Sequence, residues 1–67
     1  MKWTKLTDHL YTTDSGHKIR KVNGVYNVFQ GGKYIGSSAF KGKALNLMKI
    51  NPEEHELAEQ FINHLGD

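Results

Sequence analysis

The sequence predicts an α+β fold: a three- to four-stranded antiparallel β-meander followed by two C-terminal helices packed on one sheet face. Three observations predict it. Two turn signals, Asn23-Gly24 and Gly31-Gly32, divide a run rich in Val, Ile, Tyr and Phe into short strands. The apolar period then lengthens beyond Phe40, from the two residues of a strand to the 3.6 of a helix. Finally, Asn51-Pro52-Glu53-Glu54 interrupts that helical pattern and restarts it.

The organising stretch is His17 to Ala44. Ahead of it, Trp3 and Leu6 precede a short candidate strand at Leu10–Thr13, closed by the turn residues Asp14-Ser15-Gly16. His17–Val22 reads as the next strand. Asn23-Gly24 follows it, and both central residues of a type I′ turn need positive φ. Val25–Gln30 and Lys33 to about Ala39 complete the meander around Gly31-Gly32.

Two-residue turns allow the cross-strand partners to be written down. Asn23-Gly24 pairs Lys21 with Tyr26, Arg20 with Asn27, Ile19 with Val28 and Lys18 with Phe29. Gly31-Gly32 pairs Phe29 with Tyr34, Val28 with Ile35 and Tyr26 with Ser37, unless a bulge intervenes. Alternation sorts these into a core face (Ile19, Tyr26, Val28, Ile35) and a face of cations, an amide and aromatics (Lys18, Arg20, Asn27, Phe29, Tyr34).

The first helix starts near Lys41, and Ala44, Leu45, Leu47 and Met48 fall within an arc of about 160° at 100° per residue. The second has Asn51 as N-cap, Pro52 at its first position and acids in its first turn. On it, Leu57, Ala58, Phe61, Ile62 and Leu65 span about 140°, and Gly66 is a natural stop. Gly36, inside a strand, marks a place where a helix or ring packs against bare backbone.

At 67 residues the chain, 1–67, is one small domain. Without cysteine it has neither disulfides nor a thiolate metal site, which fits a reducing, cytoplasmic setting. It has no apolar run near the roughly 20 residues of a membrane span, so no membrane association is expected. All nine Lys and Arg lie in positions 1–50 with two acids, Asp8 and Asp14. Positions 51–67 carry the other five acids and no Lys or Arg, so the two parts hold +7 and −5. That asymmetry predicts a basic and an acidic side on one body.

No catalytic, cofactor or metal constellation emerges. His55 and His64 lie about 180° apart on one helix and cannot share an ion from it. Ser15, Ser37 and Ser38 lack a nucleophile elbow, and Gly31, Gly32 and Gly36 lack the spacing of a nucleotide fingerprint. The expectation is a non-enzymatic protein. Its candidate nucleic-acid site is Lys18, Arg20 and Lys33 for phosphates, Phe29 and Tyr34 for stacking, and Asn27 for a base edge. The competing expectation is that Trp3, Leu6 and Leu10 cover Phe29 and Tyr34. A protein-binding modulator acting through Glu53, Glu56, Glu59 and Gln60, or through a sheet edge, is the alternative function. Self-association is a third, since so small a core gains from dimerisation.

The segment GVYNVFQGGKYIGSSAFKGKAL resembles the strand–hairpin–strand–helix core of plant ethylene-response-factor DNA-binding domains and phage integrase arm-binding domains. The resemblance implies a three-stranded sheet laid in the DNA major groove, with Arg20, Asn27 and Tyr34 at the interface and DNA ahead of RNA as partner. The chain differs in having fewer Arg on its sheet, Phe40 where a capping Thr is usual, and an acidic last helix. The whole chain is also similar to short phage and prophage proteins that begin with a Trp and carry a G-x-W/Y-x-V…G-x-x-I/V-G pattern before a helix. That likeness implies a regulator or inhibitor of a host protein as readily as a DNA binder.

Overall fold

Five antiparallel strands and two helices make up the computed structural model, which describes residues 2–66. The strands are β1 (Trp3–Thr7), β2 (Leu10–Thr13), β3 (His17–Val22), β4 (Val25–Gln30) and β5 (Lys33–Ser38), and the helices are α1 (Lys41–Met48) and α2 (Pro52–Asn63). The sheet is a plain meander, ordered β1-β2-β3-β4-β5.

The strand count exceeds the expected three to four because Trp3–Thr7 pairs with β2, Trp3 facing Thr13 and Lys5 facing Tyr11. This strand is hard to read in WTKLT, where only Trp3 is buried. Each later turn does what its residues require. Asn23 and Gly24 take φ of 50° and 77°, and Gly31 and Gly32 take 59° and 80°, the positive pair that a type I′ turn needs. The β3–β4 register is the predicted one throughout.

The β4–β5 register departs from expectation beyond Phe29–Tyr34. A bulge shifts it by one, so Val28 faces Gly36 and Tyr26 faces Ser38, rather than Ile35 and Ser37. Ile35 is the extra residue and is only half-buried. Gly36 then sits on the core side, where α1 comes so close that a Cβ would stand 3.1 Å from both δ carbons of Leu47.

The core lies between the sheet and the helices. Ile19, Val28, Met48 and Ile62 are its largest fully buried side chains, and Ala44, Leu45 and Ala58 fill in around them. At the far end Phe61 of α2 stacks on Trp3 at 5.4 Å and meets Tyr11 edge-on at 5.6 Å. Leu57, expected in the apolar stripe of α2, is instead 46% exposed. The stripe that packs is Ala58, Phe61 and Ile62, and Leu57 sits at its margin.

Two caps differ from their sequence signals. Asn51 makes no side-chain cap bond, and the helix start is held by the Glu54 amide donating to the Asn51 carbonyl at 2.9 Å. Phe40 is the N-cap of α1, and its own amide donates to Ser38 Oγ at 3.0 Å. After α2, the Gly66 amide donates to the Asp8 carbonyl at 2.8 Å and His9 Nδ1 bonds the Gly66 carbonyl at 2.8 Å. These bonds tie the end of the chain to the β1–β2 turn.

Candidate functional site

Both helices lie on one side of the sheet, and the other side carries two rows of side chains running across the strands. Cross-strand partners lie about 5 Å apart and alternate residues of one strand about 7 Å apart, so the rows follow from register alone. The first row is Thr4, Thr12, Lys18, Phe29 and Tyr34. The second is Leu10, Arg20, Asn27 and Ser37. Five of the six predicted nucleic-acid residues thus share one surface.

Lys33 does not join them. It faces Gln30 across the Gly31-Gly32 turn, one step out of phase with Tyr34, and so belongs to the helix-bearing side of the sheet. Thr12, opposite Lys18, follows from the three-residue loop Asp14-Ser15-Gly16, whereas the hydroxyls of Thr4 and Ser37 have no local signal. The former depends on β1 and the latter on the bulge.

Of the residues in the competing reading, Trp3 does not cover this face. Trp3 is on the helix side, against Phe61 and Tyr11. Phe29 and Tyr34 instead form an edge-to-face pair with centroids 5.5 Å apart. Tyr34 is 53% exposed and Phe29 is half-buried by its neighbours, so the pair is a firm aromatic step on the sheet. Lys18 and Arg20 are both exposed. The Asn27 amide nitrogen leans toward the carbonyls of Arg20 and Val25 at 3.5 Å each, contacts long enough to be exchanged for a ligand.

The electrostatics follow from where the acids are. None of the five strands contains Asp or Glu, whereas they hold Lys5, Lys18, Arg20, Lys21 and Lys33. Asp8 and Asp14 sit in turns, with Asp8 3.2 Å from Lys5 and Asp14 accepting the Lys2 amide at 2.9 Å. Lys21 lies over the Tyr26 ring at 5.4 Å, on the helix side. The outer rows are left with Lys18 and Arg20 as their charges.

Glu53, Glu56, Glu59 and Gln60 are all exposed on α2, on one arc of it beside Leu57. The histidines are dispersed. His55 Nε2 bonds the Ile50 carbonyl at 3.2 Å, and His17 is buried. Among the described residues no group of three His, Cys, Asp or Glu is placed to hold a metal ion, and no helix is long and apolar enough to cross a membrane. No family model, curated protein or solved structure matches the chain.

Proposed function

We propose that this protein is a small nucleic-acid-binding accessory protein that uses the open face of its sheet. One observation carries this reading. Lys18 and Arg20 stand beside an edge-to-face Phe29–Tyr34 pair, on a surface with no acid and no helix over it among the described residues. Cations at such a face attract phosphates and release counterions, and aromatic rings stack on bases whatever their identity. Thr12, Asn27 and Ser37 add neutral hydrogen-bonding groups between them.

With two cations the face favours modest, sequence-tolerant binding, in keeping with an accessory role. Phosphate contacts position a ligand, and only Asn27 is suited to read a base edge. Binding of labelled DNA and RNA should fall as salt rises with a log–log slope of about −1.4 for single strands to about −1.8 for duplex, and most of that slope should vanish when Lys18 and Arg20 are both replaced by Ala. Undiminished binding by that double variant, or no binding at low salt, would rule the reading out.

A second reading is favoured by the exposure of Leu57 among Glu53, Glu56 and Gln60. A lone exposed leucine ringed by acids suits a basic, apolar patch on a protein partner. Charge reversal at Glu53 and Glu56 would abolish such binding and leave nucleic-acid affinity unharmed.

A further inference from the structure

A groove of about 630 Å³ runs between β5 and α1, around the sheet edge from Tyr34. Its apolar part is Ile35 and Leu47, both half-buried. Phe40 stands at its rim, 66% exposed, with Lys43 Nζ 5.4 Å from the ring centroid. Gln30, Asn46 and Lys49 also line it, and among the described residues no acid does.

We infer that this groove takes one nucleobase and its flanking phosphate from a single strand that crosses the β5 edge from the Lys18/Arg20 face. The inference rests on the proposed nucleic-acid function and narrows it to single-stranded ligands. The first support is chemical. A base needs a ring face to stack on, amides for its edge and a cation for its phosphate, and Phe40, Gln30, Asn46, Lys43 and Lys49 supply all three. Lys43 lies over the Phe40 ring, and the ring is 66% exposed, so it offers area for a base to stack on. A groove of several hundred cubic ångströms is the size that holds a small ligand.

The second support is continuity. Ser37 faces Asn27 in the outer rows and also lines the groove, so the two surfaces meet along β5. Lys33, out of phase with Tyr34, is the cross-strand partner of Gln30 and adds a cation on the groove side of that edge. A duplex keeps its bases stacked inside a stiff rod and cannot turn one around an edge strand. A single strand can splay a base into the groove while its neighbour stacks on Tyr34.

The test compares a labelled single strand of roughly 12 nucleotides with its duplex by fluorescence anisotropy at about 50 mM salt. Wild type, Phe40→Ala, Phe40→Tyr, Lys43→Glu and Arg20→Ala are used as full chains. Phe40→Ala should weaken single-strand binding about tenfold, in line with the loss of one stacked base, and leave duplex binding within about twofold. Phe40→Tyr should restore it, and thermal melts should show all variants folded. If Arg20→Ala weakens binding while Phe40→Ala and Lys43→Glu do not, the groove inference fails and the outer face stands. If wild type binds neither ligand, both fail. Equal affinity for strand and duplex, or an acidic peptide taking the groove in preference to the strand, would also overturn the inference.

Discussion

The indole of Trp3 stacks on the ring of Phe61, with centroids 5.4 Å apart and planes within 10° of parallel. This contact joins the first strand to the last helix and decides which face of the sheet is covered. With Trp3 on the helix side, its indole does not cover the Phe29–Tyr34 pair. Tyr11 meets both rings edge-on, at 6.3 Å from Trp3 and 5.6 Å from Phe61. Trp3→Ala should therefore destabilise the domain by about 3 kcal/mol, read as a lower urea midpoint. A double-mutant cycle between Trp3 and Phe61 should show a coupling of about 1 kcal/mol.

Gly36 is the second point of close contact. A side chain there would press on Leu47 of α1, so Gly36→Val should cost about 1–3 kcal/mol by pushing the helix from the edge strand. The same substitution should change the environment of Phe40 and Lys43, which follow on the same path into α1. Unfolding curves and amide spectra of the variant would show both effects.

His17 is held in a small polar chain beneath the β2–β3 turn. Its amide donates to Thr13 Oγ1 at 3.1 Å, Thr13 and Ser15 hydroxyls bond at 3.0 Å, and Ser15 Oγ meets His17 Nδ1 at 3.1 Å. Thr13 and His17 are both buried, and His17 Nε2 is buried without a hydrogen-bond partner among the described residues. Thr13→Val keeps the shape but removes the acceptor of a buried amide, and should cost about 1–3 kcal/mol. Thr13→Ser should cost less, and chemical denaturation would compare the two.

Leu57 and Ile62 share a helix but not a fate. Ile62 is fully buried, so Ile62→Ala should cost about 2–5 kcal/mol. Leu57→Gln, at a position 46% exposed, should stay within about 0.5 kcal/mol of wild type. Thermal unfolding of both variants would show the contrast.

These sites also show what the sequence reveals and what it hides. Asn23-Gly24 and Gly31-Gly32 are legible because positive φ is a local demand, met by few residue types. The β3–β4 pairs follow from that turn, and with them the grouping of Lys18, Arg20, Asn27 and Phe29. Gly36 could be read as a close approach, one of the few roles that a bare backbone inside a strand serves. The bulge at Ile35 could not, because Lys-Tyr-Ile-Gly-Ser alternates equally well in either register. β1 is hidden because an edge strand with one buried side chain has no alternation to show. The His17 chain becomes visible only once Asp14-Ser15-Gly16 is taken as a three-residue loop, which places Thr13 and His17 on the same face as Ile19. The exposure of Leu57 is set by where α2 meets the sheet, a tertiary fact with no local signal.

The open sheet face is the proposed ligand face. Amide chemical-shift mapping of the full chain with a short single-stranded oligonucleotide at low salt tests it most directly. The predicted result is a set of shifts at Lys18, Arg20, Asn27, Phe29 and Tyr34, joined by Gln30, Phe40, Lys43 and Asn46 if the groove takes a base, fading as salt is added, with Glu53, Glu56, Glu59 and Gln60 unmoved. Shifts confined to α2, or none at saturating oligonucleotide, would contradict it.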